Sequence, residues 1–159
     1  MRIVVTGCVG TGKTTIAKAL SKKLKLKYFD LNVYIRNNKI YSNYNKEFDT
    51  FEVSVIKIKK FLDSYLKKNN NVIVDSHLSH YASAKLVDIC VICKGDIKTL
   101  SKRLAARKYS KIKIRENLDS EIFDVCLVEA LENKHKVIVL DTTNEIVNKL
   151  VYKVIKNLK

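Results

Sequence analysis

Short runs of apolar residues alternate along the chain with longer stretches in which apolar positions recur every three or four residues. RIVVT, VIVD, ICVIC and VIVL are almost continuously apolar, as expected of parallel strands covered on both faces. Together with KYF they predict strands at 2–6, 27–29, 72–75, 89–93 and 137–140. The helical period predicts helices over 13–24, 31–38, 53–68, 97–107, 112–133 and 145–158. Strand and helix alternation of this kind gives an α/β three-layer fold around a parallel five-stranded sheet. No repeat or low-complexity linker interrupts it, so residues 1–159 read as a single domain. Two stretches have no clear period: the polar and aromatic KIYSNYNKEFDTF (39–51) and the short basic KYSKIKIR (108–115). Both read as mobile segments over a site.

The boundary between the first strand and first helix carries the strongest chemical signal. Gly7-Cys-Val-Gly-Thr-Gly-Lys-Thr14 matches G-x-x-x-x-G-K-[ST] in the strand–loop–helix context that motif requires. The chain has 4 glycines, and Gly7, Gly10 and Gly12 lie in this loop. Glycine lets the backbone curl so that successive N–H groups face phosphate oxygens, and the helix start adds its dipole. The pattern predicts a nucleoside triphosphate site, with ATP and Mg²⁺ as the expected ligands. Lys13 reaches the β- and γ-phosphates and Thr14 offers its hydroxyl to the metal. The bland alternative is a glycine-rich turn with no ligand.

Such a site needs an acid at the end of a neighbouring strand. NNNVIVDSH ends its apolar run on Asp75, the expected place for a carboxylate holding Mg²⁺ through water. His77, two residues on, is a candidate for orienting a water or touching the transferring phosphoryl group. An ordinary turn aspartate and an isolated histidine are the competing readings. His80 and His135 have no supporting context.

Arg103 and Arg107 stand one helical turn apart, and Lys108, Lys111, Lys113 and Arg115 follow. Like charges at that spacing repel mildly, and a polyanion between them offsets the cost. The stretch reads as a short lid that closes over phosphates and supplies transition-state charge, or else as a solvated basic helix end. The formal net charge of +15 suits nucleotide or RNA, although lysines coating solvated helix faces explain it equally well. Cys90 and Cys93 have Cys-x-x-Cys spacing, but residues three apart on a strand point to opposite faces and cannot share a metal. No apolar run approaches the ~18 residues of a membrane span. The N-terminus reads as a strand and not a signal peptide, so a cytoplasmic location is expected.

These residues resemble the nucleoside monophosphate kinases, and more closely the adenylate kinase isoenzyme 6 family, also called coilin-interacting nuclear ATPase in animals, in its archaeal type. The resemblance rests on TGxxGTGKTT at 6–15, LKYF at 26–29, Y-x-x-Y-x-x-x-(Y/F)-D at 41–49, VDxH at 74–77, RLxxRxYSxxKIxEN at 103–117 and EIF at 121–123. It implies the P-loop nucleoside monophosphate kinase fold, with a monophosphate-binding segment at 30–53 and a lid at 106–116. It implies ATP contacts from Gly10, Gly12, Lys13, Thr14 and Thr15, with Gly7 and Thr11 as the loop's other binding candidates, Arg107 beside the adenine and Arg36 where related kinases hold the acceptor's phosphate. It also implies a part in small ribosomal subunit maturation, through a small-subunit ribosomal protein and rRNA, coupled to ATP hydrolysis. The chain departs from the family at Val9, where proline is usual, and at Val33, where an acid is usual. Asp-Ser-His-Leu-Ser at 75–79 replaces the Asp-Gly-Phe-Pro-Arg of ordinary adenylate kinases. Three activities follow: a broad adenylate kinase, an assembly ATPase, or a small-metabolite kinase on the same fold.

Overall fold

The computed structural model describes residues 1–48 and 50–158. In chain order its strands are β1 (Arg2–Thr6), β2 (Lys27–Asp30), β3 (Asn43–Asn45), β4 (Thr50–Glu52), β5 (Val72–Asp75), β6 (Ile89–Lys94) and β7 (Val137–Asp141). Its helices are α1 (Lys13–Leu24), α2 (Leu31–Asn37), α3 (Val55–Lys68), α4 (Ile97–Ala106), α5 (Lys111–Ile122), α6 (Val125–Glu132) and α7 (Val147–Lys156). Five strands form a parallel sheet in the order β2-β5-β1-β6-β7, and β3 and β4 form a separate antiparallel hairpin.

Side-chain alternation splits the core into two layers. Ile3, Val5, Ile73, Val91 and Cys93 face α1 and α7, where Ile16, Leu20, Leu150 and Val154 meet them. Val4, Val72, Val74, Cys90 and Ile92 face the other way, onto Leu31 and Ile35 of α2 and Ile58, Leu62 and Leu66 of α3. Strands buried on both sides are apolar at every position for this reason. Cys90 and Cys93 enter opposite layers, and all four cysteines are free thiols.

The central strand β1 lies between β5 and β6, with Val5 paired to Asp75 and Thr6 to Ile92. That registry brings the carboxyl ends of β1, β2 and β5 together, where α/β sheets bind ligands. Asp30, the last residue of β2, pairs with Asp75 and caps α2 by accepting from the Val33 N–H at 2.9 Å. Among the described residues no helix is long and apolar enough to cross a membrane.

Two expectations are corrected. The helix expected over 112–133 is broken into α5 and α6, because Asp124 takes a left-handed conformation (φ 53°). Aspartate tolerates that region better than most residues, and an ion pair to Lys94 at the end of β6 anchors it. The aperiodic 39–51 stretch carries the β3–β4 hairpin, whose strands of 3 residues each are too short for a period to register. Asp49, which closes the quoted tyrosine pattern, lies outside the described residues.

Candidate nucleotide and acceptor site

Gly7 leaves β1 with φ 143°, and a Cβ there would stand 2.3 Å from the Cys93 carbonyl oxygen, so only glycine fits. Gly12, at φ 77°, is the residue before α1 and gives that helix no side-chain cap. The α1 start therefore keeps free N–H groups, a binding place for anions. The Thr11 hydroxyl donates to the Cys8 carbonyl at 2.8 Å, closing the loop on itself. Lys13 is buried, and its Nζ reaches only the Cys8 carbonyl, at 3.4 Å. Among the described residues its ammonium has no carboxylate partner, which leaves the charge available to a phosphate. Cys8 is buried behind the loop, and hydrogen bonding to Cys126 together with burial pushes its thiol pKa far up.

Asp75 is 2% exposed. Its Oδ2 accepts from the Tyr28 hydroxyl at 2.8 Å, while Oδ1 is buried without a hydrogen-bond partner among the described residues. A carboxylate oxygen without a partner is costly unless something else contacts it. Burial and the Asp75 carboxylate raise the Tyr28 pKa, so Tyr28 stays a donor. Ser76 donates to Asn32 Oδ1 at 2.9 Å, tying the strand end to α2.

His77 opens onto the cleft beside Lys13. Loss of surrounding water, then the Lys13 and His80 charges, push its pKa below the usual histidine range. Because the ring remains accessible, water moderates that shift, and either way His77 is neutral at pH 7. His80 is buried behind the sheet end. Its Nε2 meets Glu129 Oε2 at 2.8 Å and its Nδ1 meets the Thr6 hydroxyl at 2.8 Å. The carboxylate can only accept, so Nε2 carries the proton and Nδ1 accepts from Thr6. Tyr81 donates to the other Glu129 oxygen at 2.8 Å, and His135 Nε2 donates to the His80 carbonyl at 2.8 Å. Isolated in sequence, His80 and His135 are joined in this network under the phosphate loop. Glu129→Ala would leave the His80 N–H unsatisfied in the interior, and is expected to destabilise the fold by about 1–3 kcal/mol. Thermal melts compare the variant with wild type and with Glu129→Gln, which keeps an acceptor. Equal melting of all three proteins would contradict the network's role.

Arg103 does not point freely at a ligand. Its guanidinium donates to the carbonyls of Gly10 (3.2 Å), Thr142 (3.1 Å) and Thr143 (3.4 Å). It bolts the phosphate loop to the β7–α7 connection, where the Thr142 hydroxyl also lies within reach of the Thr11 carbonyl (2.6 Å). Arg107, just past the end of α4, has no such partner among the described residues.

Two cavities meet at the loop. One of about 660 Å³ lies between Gly10, Gly12, Thr15, Arg103, Arg107 and Asn144. The other, about 560 Å³, runs from Lys13, Thr14 and His77 to Arg36, Tyr44, Phe51 and Tyr109. Arg107 lines both. A third, apolar cavity of about 590 Å³ on the outer face of α5 contains no loop residue and stands apart from this chemistry. Sequence reasoning did not single out Asn32 or Thr142, and it quoted Tyr28, Tyr44 and Phe51 only within motifs and segments, without a role of their own. Tyrosines beside acids were visible as letters, but only the sheet registry brings them to the loop. Glu121, seen as part of EIF, is buried and accepts from the Gly95 N–H at 3.0 Å, with burial raising its pKa. Among the described residues no three His, Cys, Asp or Glu side chains cluster as a metal cage.

The AAA domain family matches residues 3–124. Over its whole length the chain is 35% identical to a Methanocaldococcus jannaschii protein named "Putative adenylate kinase", covering 86% of that protein. It is 30% identical, over 93% of its length, to 84% of the Schizosaccharomyces pombe "Adenylate kinase isoenzyme 6 homolog". Among solved structures, a shikimate kinase from Acinetobacter baumannii in complex with shikimate superposes with a TM-score of 0.68 at 14% identity, over 99% of this chain and 92% of that one. That likeness is one of fold.

Proposed function

The chain belongs to the family that joins the archaeal adenylate kinase relatives to the fission-yeast isoenzyme 6 homologue, and from that premise we propose that it transfers the γ-phosphoryl group of ATP to AMP or a related nucleoside monophosphate. The observation that carries this reading is that Lys13, Thr14 and Arg36 line one cleft. Two cations lining one cavity suit a donor and an acceptor phosphate. The Arg36 side chain has no hydrogen-bond or ion-pair partner among the described residues, so its fork is free for a phosphate.

In the proposed reaction an acceptor phosphate oxygen attacks the γ-phosphorus in line, one P–O bond forms as another breaks, and ADP leaves. Lys13 and the loop N–H groups offset charge on the donor phosphates. Arg107, between the two cavities, adds charge where the transferring group passes, and Arg103 holds the loop in shape. Thr14 and Asp75 fit a hydrated Mg²⁺, the first with a hydroxyl at the α1 start, the second with a buried, unpartnered carboxylate oxygen. When bound, the ion neutralises charge on the donor phosphates. A neutral His77 at the cleft is suited to orient a water, which supports ATP hydrolysis as a companion activity. The charge of +15 supports the second reading carried by the resemblance, an ATPase in small ribosomal subunit maturation that touches rRNA and a ribosomal protein.

The test is ADP formation from ATP with AMP, GMP, CMP or UMP, against a control without acceptor. Acceptor-stimulated turnover is expected. Arg36→Ala should raise the acceptor KM by about ten- to a hundredfold, the worth of a charged hydrogen bond, with ATP affinity unchanged. Equal rates with and without acceptor would leave only the ATPase.

A further inference from the structure

The Cys-x-x-Cys pair of β6 is split between two core layers, but a different pair of thiols meets under the phosphate loop. Cys8, 6% exposed, follows Gly7 where the chain leaves β1. Cys126 is the second residue of α6. The two side chains are far apart in sequence and hydrogen-bonded to each other in the fold. Cys126 is only half-buried, so solvent reaches its sulfur, whereas Cys8 is enclosed. A crevice of about 10 Å³ lined by Gly7, Glu121, Asp124 and Cys126 leads to the pair, room for one water-sized molecule. Hydrogen bonding from Cys8, with the Lys13 charge nearby, lowers the Cys126 thiol pKa in spite of burial. The Cys8 thiol is held protonated by Cys126 and by burial. An accessible thiol that ionises readily, in contact with a second, enclosed thiol, is the arrangement of an attacking and a resolving cysteine.

We propose that Cys8 and Cys126 form a reversible oxidation site, at which a peroxide joins the phosphate loop to α6 through a disulfide. The Cys126 thiolate attacks one oxygen of hydrogen peroxide, the O–O bond breaks, and Cys126 becomes a sulfenic acid. The hydroxide released takes up the proton that the thiol gave to solvent and leaves as water. Cys8 then attacks the Cys126 sulfur, its S–H proton goes to the departing hydroxyl, and a second water leaves. Two thiols and one peroxide thus give one disulfide and two waters. A small-molecule thiol reverses the bond by exchange. The bond acts on ATP through the Cys8 backbone. The Cys8 carbonyl accepts from the Thr11 hydroxyl at 2.8 Å, the Thr11 N–H at 3.4 Å and the Lys13 ammonium at 3.4 Å. A sulfur–sulfur bond is shorter than any contact between two thiols, so closing it draws Cys8 toward α6 and this carbonyl with it. Lys13 and the loop N–H groups then face a phosphate less well. This control concerns ATP binding by the loop and is independent of which acceptor the cleft takes.

The test treats the fully reduced protein with hydrogen peroxide and follows it by mass. The intact chain should lose the mass of two hydrogen atoms, peptide mapping should join Cys8 to Cys126, and dithiothreitol should restore both thiols. Calorimetric titration should show ATP binding to the oxidised form about ten- to a hundredfold more weakly than to the reduced form, the worth of one charged hydrogen bond. Cys126→Ser should bind ATP as the reduced wild type does and keep that affinity after peroxide. Cys126 carried to sulfinic acid with Cys8 still free would overturn the site, as would a bond from Cys126 to Cys90. A linked protein that binds ATP like the reduced one would overturn the action on the loop. If the reduced wild type does not bind ATP, the nucleotide reading of the loop fails, and the mass and the peptide map still decide whether the bond forms. Should Cys126→Ser fail to fold, the mass, the map and the two titrations on wild type decide the question.

Discussion

Lys13→Ala is expected to reduce phosphoryl transfer by at least about 10²–10³-fold, the usual consequence of removing one preorganised charge from the transition state. The fold should survive. Lys13 opens α1, where alanine is a good helix former, and its Nζ makes only the 3.4 Å contact to the Cys8 carbonyl. Among the described residues no salt bridge is broken and no buried carboxylate is left alone. Steady-state kinetics with ATP and AMP, beside a thermal melt, separate the two effects. A variant that melts like wild type and turns over at the wild-type rate would remove the phosphate role of the loop. The same substitution should weaken ATP binding less than turnover, because the charge matters most where negative charge is redistributed during transfer.

Asp75→Asn should raise the Mg²⁺ concentration needed for half-maximal turnover by about ten- to a hundredfold, as changes to outer-sphere metal partners do. The substitution is nearly isosteric. Asparagine keeps an oxygen to accept from Tyr28, so the 2.8 Å hydrogen bond that fixes the side chain can persist. What is lost is charge at the buried, unpartnered oxygen. Nucleotide binding in the absence of Mg²⁺ should change little. Superimposable Mg²⁺ titrations for the two proteins would assign the metal-linked acid elsewhere. Asp141 is the less suitable alternative: its side chain already accepts from the Thr143 N–H at 2.8 Å and is exposed. Tyr28→Phe is a useful companion, since it frees Asp75 without changing its charge.

The phosphate loop was legible because its chemistry is local. Glycines at fixed spacing, a lysine and a threonine between an apolar strand and an amphipathic helix specify a backbone shape within eight consecutive residues, and Gly7 to Thr14 take that shape. The central strands were legible for a related reason. A strand buried on both faces is apolar at each position, which distinguishes VIVD and ICVIC from their surroundings. Asp75 could be picked out as the acid ending such a strand. Arg103 could be picked out as a cation, but its partners could not, since Gly10 and Thr142 come from opposite ends of the chain.

The sequence by itself determined the α/β class, the five parallel strands and the loop, because burial on two faces and backbone curvature each leave a mark on neighbouring residues. Tertiary structure alone decided the rest. The break at Asp124 depends on an ion pair to Lys94, 30 residues away, and on no local helix breaker. Tyr28 reaches Asp75 only because β2 pairs with β5, and His80 meets Glu129 only because α6 returns beneath the sheet end. Tyr44 comes to stand beside Phe51 only once β3 and β4 pair. A hairpin of three-residue strands has no period of its own, and the partners of a buried polar group are chosen by packing, not by spacing along the chain.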